Sequence, residues 1–334
     1  MFRFFKNHLF WSPKMPTGSF AGKTVIVTGA NVGLGKEAAR HFVAKGASKV
    51  ILGCRNMDKG NEAAQSIVQS EKVKDAGKVE VWQLDLCSYE SVLAFGERLN
   101  GLDRLDVLVE NAALATIDFK MAEGHESQVT TNVISTFLLA LLALPKLKET
   151  AARTAGEPDY RPPHLVVLSS GMIYTAQLPE ARNKDEPIFA QLDKNKSNLM
   201  SRYPVTKLLE VLVVREWTRT RAPAYDYPVI INTMDPGLCE SALRREVPRA
   251  GLGARVVVGV LEWMLARPTA VGARTEVDAA LKGYESHGEF ITDQEVEKVS
   301  AFCYTKEGFE TQRRVWRELA DILEEIKPGV TSNL

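Results

Sequence analysis

Most of the features that would place this 334-residue chain in a broad class at a glance are missing. It has no net charge: lysine plus arginine and aspartate plus glutamate both total 42. Without a basic footprint for a phosphodiester backbone, nucleic acid is set aside as a partner. Cysteine is scarce. Cys54, Cys87, Cys239 and Cys303 form no C-x-x-C pair, and the five histidines are scattered. This argues against a structural zinc, any other metal site or a disulfide framework, and it suits a reducing, cytoplasmic compartment. No apolar run reaches the roughly 18 to 20 residues needed to span a bilayer. Internal repeats and low-complexity stretches are missing too. What remains is 45% apolar and 25% charged, ordinary for a globular protein, and long enough for two domains or one large α/β domain with insertions.

The N-terminus, "MFRFFKNHLFWSPKMP", interleaves Phe2, Phe4, Phe5, Leu9, Phe10 and Trp11 with Arg3, Lys6 and Lys14. Its apolar run is too short and too interrupted for a signal peptide. Two readings stay open for residues 1–20: an arm packed on the domain surface, which is favoured, or an amphipathic anchor touching a membrane peripherally.

From residue 21 onward short apolar runs alternate with helical periodicity, as expected of a single domain. "KTVIVTGA", "KVILGCR", "KVEVWQLDL", "LDVLVENAA", "HLVVLSSG" and "PVIINTMDPG" read as six strands. Helices are expected over Lys36–Lys45, Met57–Ser70, Tyr89–Leu99, Gly124–Leu144 and Pro204–Arg219. A last one covers "KEGFETQRRVWRELADILEEI", periodic through Phe309, Val315, Leu319 and Ile322. Nearly continuous apolar strands separated by helices imply an α/β, doubly wound parallel sheet covered on both faces. Right-handed crossovers bring the strands' C-terminal ends to one edge, where such sheets bind ligands. Gly29, Arg55, Asp85, Asn111, Ser170 and Pro236 all fall there.

Four signals with chemical content lie on that frame. In "TGANVGLG", Gly29 allows a sharp exit from the strand, Gly33 lets backbone approach a pyrophosphate, and Gly35 permits close helix packing. The following helix N-terminus offers amides and a positive dipole end to phosphate. In "YPVTK", Tyr203 and Lys207 share a helix face. An adjacent ammonium stabilises a phenolate and draws the tyrosine toward useful acid-base chemistry, and Pro204 suits the first helical position. Ser169 and Ser170 follow a buried strand, where a hydroxyl polarises a carbonyl or caps a turn. Asn132 sits in a mostly apolar helix, where asparagine is unfavourable; it faces water or holds something in place. Each signal recurs by chance when taken alone.

Taken in order, T-G-x-x-x-G-x-G, N-A-A, an asparagine, S-S and Y-x-x-x-K resemble the short-chain dehydrogenase/reductase family over about Gly22 to Gly237. "LGCRNMDKG", "TGANVGLGKEAA" and "DPGLCES" are similar to its retinol-dehydrogenase-like branch, and the likeness extends to fungal reductases of secondary metabolism. The resemblance implies a Rossmann fold and a hydride-transferring enzyme. It makes Tyr203 the general acid-base and Lys207 the group that lowers its pKa and binds the nicotinamide ribose. Ser170 would polarise the carbonyl, Asn132 would hold a relay water, and Asn111 would steady the adenine side. The cofactor contacts it implies are Gly29, Asn31, Val32, Gly33, Leu34, Gly35, Arg55, Asp85, Leu86, Asn111, Ala112, Tyr203, Lys207, Pro236 and Gly237.

The chain departs from that pattern in places. The usual N-N-A-G is Glu110-Asn111-Ala112-Ala113 here, and Ser170 and Tyr203 lie 33 positions apart. Residues 171–202 thus read as an insertion beside the active-site mouth. By the resemblance such insertions cover a dimerisation face, so a monomer and a homodimer both stay open. Tyr174, nearer to Ser170, has Leu178 where a lysine would be needed. Residues 238–275 read as a C-terminal helical lid over substrate. At the end of the second strand an acid would grip the ribose 2′-hydroxyl of NAD. Arg55 stands there instead, and a guanidinium suits the 2′-phosphate of NADP. The expectation is an NADPH-dependent reductase of a hydrophobic ketone or aldehyde, reversible as an alcohol dehydrogenase. The alternatives are a retinol- or steroid-type dehydrogenase at a membrane surface, and a non-redox binding or cyclisation protein on the same scaffold.

Overall fold

The six apolar runs all form strands of one sheet. The computed structural model describes residues 11–196, 199–223, 227–240 and 265–334. Within them β1 (Thr24–Thr28), β2 (Lys49–Cys54), β3 (Val79–Gln83) and β4 (Val107–Glu110) are followed by a two-residue pair, β5 (Met121–Ala122) with β6 (His125–Glu126). β7 (His164–Leu168), β8 (Ile230–Asp235), β9 (Phe290–Thr292) and β10 (Glu295–Glu297) complete the set. The main sheet runs β10-β9-β8-β7-β4-β1-β2-β3, parallel except for β10. Every residue of β1, β4, β7 and β8 is buried, as a sheet covered on both faces requires. The order reverses between β1 and β4, so their C-terminal ends open a crevice.

The helices are α1 (Gly33–Ala44), α2 (Met57–Ser70), α3 (Tyr89–Leu99), α4 (Ser127–Thr154), α5 (Ile188–Lys194), α6 (Arg202–Thr220), α7 (Thr269–Gly272), α8 (Arg274–Ala279) and α9 (Lys306–Ile326). α2 begins at its expected residue because Asn56 accepts a hydrogen bond from the Lys59 amide at 2.9 Å. Ala38, Ala39 and Phe42 of α1, Ala63 and Ile67 of α2, and Val277 of α8 fill one side of the sheet. α3, α4, α6 and α9 cover the other.

The expected helix over Gly124–Leu144 needs correction, for α4 continues ten residues past Leu144 and through Pro145. Proline removes the amide that would bond to the carbonyl four residues back, that of Leu141. The Asn333 side chain supplies the missing donor at 3.1 Å. The 18-residue window of α4 apolar enough to cross a membrane is 94% buried inside the molecule, which makes it the central core helix.

β9 and β10 had no legible signal, being three residues each. They are joined by Asp293 and Gln294, both at positive φ (51° and 62°), the geometry of a tight hairpin turn that usually recruits Asn-Gly or Asp-Gly. Arg267 holds Asp293 in an ion pair at 2.8 Å, and Gln294 exchanges two hydrogen bonds with the Lys14 backbone. In α9 the buried stripe is Val315, Leu319 and Leu323, with Phe309 exposed. Trp316 meets Trp217 of α6 edge to face at 5.4 Å. α9 therefore covers the outer side of α6, and the insertion's Ile188 amide bonds to Glu318 of α9 at 2.6 Å.

Residues 11–20 lie against the domain: Trp11 under Arg267, Pro13 accepting from Arg274, Phe20 edge-on to Phe42 at 4.8 Å. The rest of the aromatic arm, residues 1–10, lies outside the described residues. So does most of the expected lid, at 241–264. Its described end begins the pair α7 and α8, and the Ala270 carbonyl in α7 meets His41 of α1 at 2.7 Å.

The Leu141–Asn333 contact predicts that Asn333→Ala lowers the unfolding free energy by about 1 to 2 kcal/mol, by orphaning a core carbonyl. A urea titration checks this; an unchanged midpoint would mean that the proline gap is satisfied some other way.

Candidate active site

A cavity of about 540 Å³ lies where β1 and β4 part. Its floor begins at the glycine turn. Gly29 and Gly33 both adopt φ of +65°, which disfavours a side chain. A Cβ at Gly29 would sit 3.0 Å from the Ala112 backbone, and one at Gly35 would overlap the Asn111 amide. That amide donates to the Thr28 carbonyl at 2.6 Å and joins the two strand ends. The glycines thus let β1, α1 and the loop after β4 approach one another.

Asn31, Val32 and Leu34 line the cavity with Gly29, Gly33 and Gly35. Val32 precedes α1 and provides no capping bond, and the first turn holds no acid. Amides that usually receive a side-chain cap are left for a ligand, and the dipole end favours an anion. Nothing lies within 4 Å of a Cβ built at Gly33, so the turn has room for a group there. Exposed Arg55 lines the same cavity, with no carboxylate of the described residues paired to it. Asn111 and Ala112 form one wall, and Pro236 with Gly237 another. Asp85 and Leu86 are not part of it. The Asp85 carboxylate accepts the Cys87 amide at 2.9 Å, and Leu86 packs in the core.

Ser170 and Tyr203 both face the cavity. The Met172 amide donates to Ser170 Oγ at 3.2 Å, so this hydroxyl caps the turn and still keeps its own proton for an acceptor. Ser169 is committed elsewhere, donating to the Lys207 carbonyl at 2.9 Å. Tyr174 does not line the cavity; its hydroxyl donates to the Lys298 carbonyl at 2.8 Å. Tyr203 is the second residue of α6, which starts at Arg202. Pro204 is thus third rather than first, still within the turn whose amides lack intrahelical partners.

Asn132 lies outside the cavity wall, fully buried in a π-helical stretch of α4, Thr130–Ser135. Its side chain accepts from the Leu114 amide at 2.7 Å. It donates to the Leu114 carbonyl and to Thr206 Oγ1, both at 2.9 Å. Leu114 lines the cavity and Thr206 lies on α6 beside Tyr203. Asn132 therefore ties the loop after β4 to the tyrosine's helix, which is why asparagine is tolerated mid-helix.

Lys207 is also set back from the wall. Its side chain is 1% exposed and its ammonium lies 5.6 Å from the Tyr203 ring centroid. It donates to the Leu168 carbonyl at 2.6 Å and to Glu210 at 2.8 Å, leaving one N–H for a ligand. Burial raises the Glu210 carboxyl to about 7 despite the opposing pull of Lys207. Glu110, fully buried at the end of β4, is driven well above the usual carboxylate range by burial and by Glu210.

Two further groups went unread in the sequence. Asp235 lines the cavity and accepts from the Gly237 amide and from Thr292 Oγ1, both at 3.1 Å. Burial raises its carboxyl, with hydrogen bonds from Gly171 and Gly237 opposing. Asp235 thus links the loops that carry Ser170 and Pro236. Arg202, beside Tyr203, donates to the Leu192 and Asn195 carbonyls at 2.9 and 3.0 Å and pairs with buried Glu126 at 3.8 Å. It fastens the insertion to α6. A lone Asp at a strand end and a lone Arg at a helix start carry no periodic signal; only topology brings them here.

Comparison with known proteins places this arrangement. Residues 23–157 match the family profile described as short chain dehydrogenase. Over 99% of both chains, the sequence is 43% identical to the short chain dehydrogenase/reductase dmxR8 of Cryptosporiopsis sp.. The chain belongs to the short-chain dehydrogenase/reductase family. It is an oxidoreductase with a Rossmann fold. Short-chain dehydrogenase anuD of Penicillium roqueforti is 35% identical, over 98% of this chain and 84% of that one. Among solved structures, a 3-oxoacyl (acyl-carrier-protein) reductase from Agrobacterium tumefaciens with NADP bound superimposes with a TM-score of 0.56. It is 22% identical and covers 82% of this chain and 93% of its own, a likeness of fold.

The Asn132 clamp predicts that Asn132→Ala, which orphans buried groups on Leu114, destabilises the protein by about 2 to 3 kcal/mol. Chemical denaturation measures it, and a loss under about 0.5 kcal/mol would show that the clamp is dispensable.

Proposed function

We propose that this protein is an NADP(H)-dependent reductase of a small hydrophobic ketone or aldehyde, the reaction being reversible as oxidation of the alcohol. The observation that carries the reading is one cavity lined at one end by an uncapped helix N-terminus with Arg55 beside it, and at the other by Ser170 and Tyr203. The amides at Gly33 to Gly35 would hold the pyrophosphate, and the Arg55 guanidinium would pair with the 2′-phosphate. The remaining Lys207 N–H suits a ribose hydroxyl. When bound, the cofactor supplies a hydride at the carbonyl carbon.

The chain's own residues do the rest. Ser170 donates a hydrogen bond to the carbonyl oxygen, and Tyr203 delivers its phenolic proton to that oxygen as it becomes an alcohol. Asn132 and Asp235 keep the surrounding loops in register. Ala112 to Ala115, Met172 and Cys239 give the cavity an apolar share, which supports a hydrophobic substrate. The fungal relatives and the NADP held by the Agrobacterium reductase favour the same reading.

Removing the acid tests the mechanism. Tyr203→Phe should lower kcat for NADPH-dependent reduction at least about 10²-fold with cofactor affinity nearly unchanged; full turnover would sink the assignment. Cofactor choice is tested separately. Arg55→Ala should raise the KM for NADPH roughly 10-fold or more while leaving NADH little changed, since the lost contact is a charge-assisted pair with the 2′-phosphate. Equal effects on both cofactors would remove Arg55 from phosphate recognition.

A further inference from the structure

The Lys207–Glu210 pair bears on the direction in which the site works, and the argument rests on the reading of Tyr203 as its acid. An isolated ammonium beside a phenol favours the phenolate, depressing its pKa by about 1 to 3 units at such range. That charge state suits removal of a proton from an alcohol. Here the ammonium is not isolated. Glu210, 1% exposed, binds it at 2.8 Å, one helical turn beyond Lys207 and two beyond Tyr203.

We propose that Glu210 is a positioning residue that offsets the Lys207 charge felt by Tyr203, keeps the phenol protonated at neutral pH, and so biases the enzyme toward carbonyl reduction. Three features of the surroundings support it. The pair is almost fully buried, so solvent screens it little. The ammonium is held by Leu168 and Glu210 and fixed in distance from the ring. The second nearby acid, Glu110, is driven toward its neutral form, and its Oε1 has no donor among the described residues. The ion pair to Lys207 is made by Glu210.

Other charged or titratable groups stand on the described elements packed against α6. Asp235 stands at the end of β8, with its carboxyl also raised by burial. Glu126 precedes α4 and is paired with Arg202. Tyr174 in the turn after β7 is bonded to Lys298. From α9, Gln312 reaches Glu216 at 2.8 Å, further along α6. The Thr130–Ser135 stretch of α4 contributes no charge.

The sign follows. Glu210 is ionised above about 7, so its offset is strongest at neutral to alkaline pH, where an uncompensated lysine would strip the phenol of its proton. Making residue 210 neutral leaves Lys207 uncompensated, and Tyr203 should ionise at lower pH.

The test is a tyrosinate titration of the cofactor-free protein by ultraviolet difference absorbance, with Tyr203→Phe in each background to isolate the signal. In Glu210→Gln, Tyr203 should ionise about one pH unit lower than in the unaltered protein. The alkaline limb of kcat/KM for reduction should move down by the same amount. Glu110→Gln, which leaves the Lys207–Glu210 pair intact, should leave the Tyr203 titration in place. Glu210→Asp should restore most of the original position. If Glu210→Gln does not fold, the Glu210→Asp and Glu210→Asn pair asks the same question at shorter reach. An unshifted or raised Tyr203 titration in a folded neutral variant overturns the proposal. Because that readout needs no turnover, it decides the matter even if no carbonyl is reduced, an outcome that would count against the functional reading alone.

Discussion

An ammonium with 1% of its side chain exposed must find its compensation inside the protein. Lys207 finds it in the Leu168 carbonyl and the Glu210 carboxylate. Breaking such a buried pair typically costs about 3 to 5 kcal/mol, so the end of β7, the first two turns of α6 and the ammonium move as one body. Tyr203 rides on that body. Its position in the cavity is set by a buried charge beside it.

Rigidity at the other end has a different source. Close approach, bought with missing side chains at Gly29 and Gly35, lets Asn111 bind the Thr28 carbonyl and lock the split between β1 and β4. A charged group anchors the end that carries Ser170 and Tyr203, and the absence of Cβ atoms shapes the end at the start of α1. Asn132 and Asp235 join the loops between them, so the cavity is held by the sheet edge rather than by any single loop.

How much of this was legible depended on the range of the signal. α2 and α3 match residue for residue, because their caps and periodicity are local. The six long strands were visible as apolar runs for the same reason. α4 ran past its expected end because the stop signal, Pro145, is overruled by Asn333, 188 positions away. β9 and β10 were invisible because three-residue strands joined by Asp-Gln lack both length and the usual turn glycine. In the site, the glycine turn, Arg55, Ser170 and Tyr203 converge on one cavity. Asp85 and Leu86 do not line it, and Asn132 and Lys207 stand behind it. A motif reports which residue types recur at a spacing; whether a side chain reaches the wall or braces it depends on partners such as Thr206 and Glu210, which only folding brings near.

We propose that one crevice holds phosphate at the start of α1 and carries the chemistry at the start of α6. A crystal structure of the protein with NADP bound tests it most directly. Pyrophosphate density is expected against the amides of Gly33 to Gly35, with the 2′-phosphate within hydrogen-bonding distance of Arg55. A dinucleotide seated elsewhere, or one whose 2′-phosphate turns away from Arg55 into solvent, would contradict it.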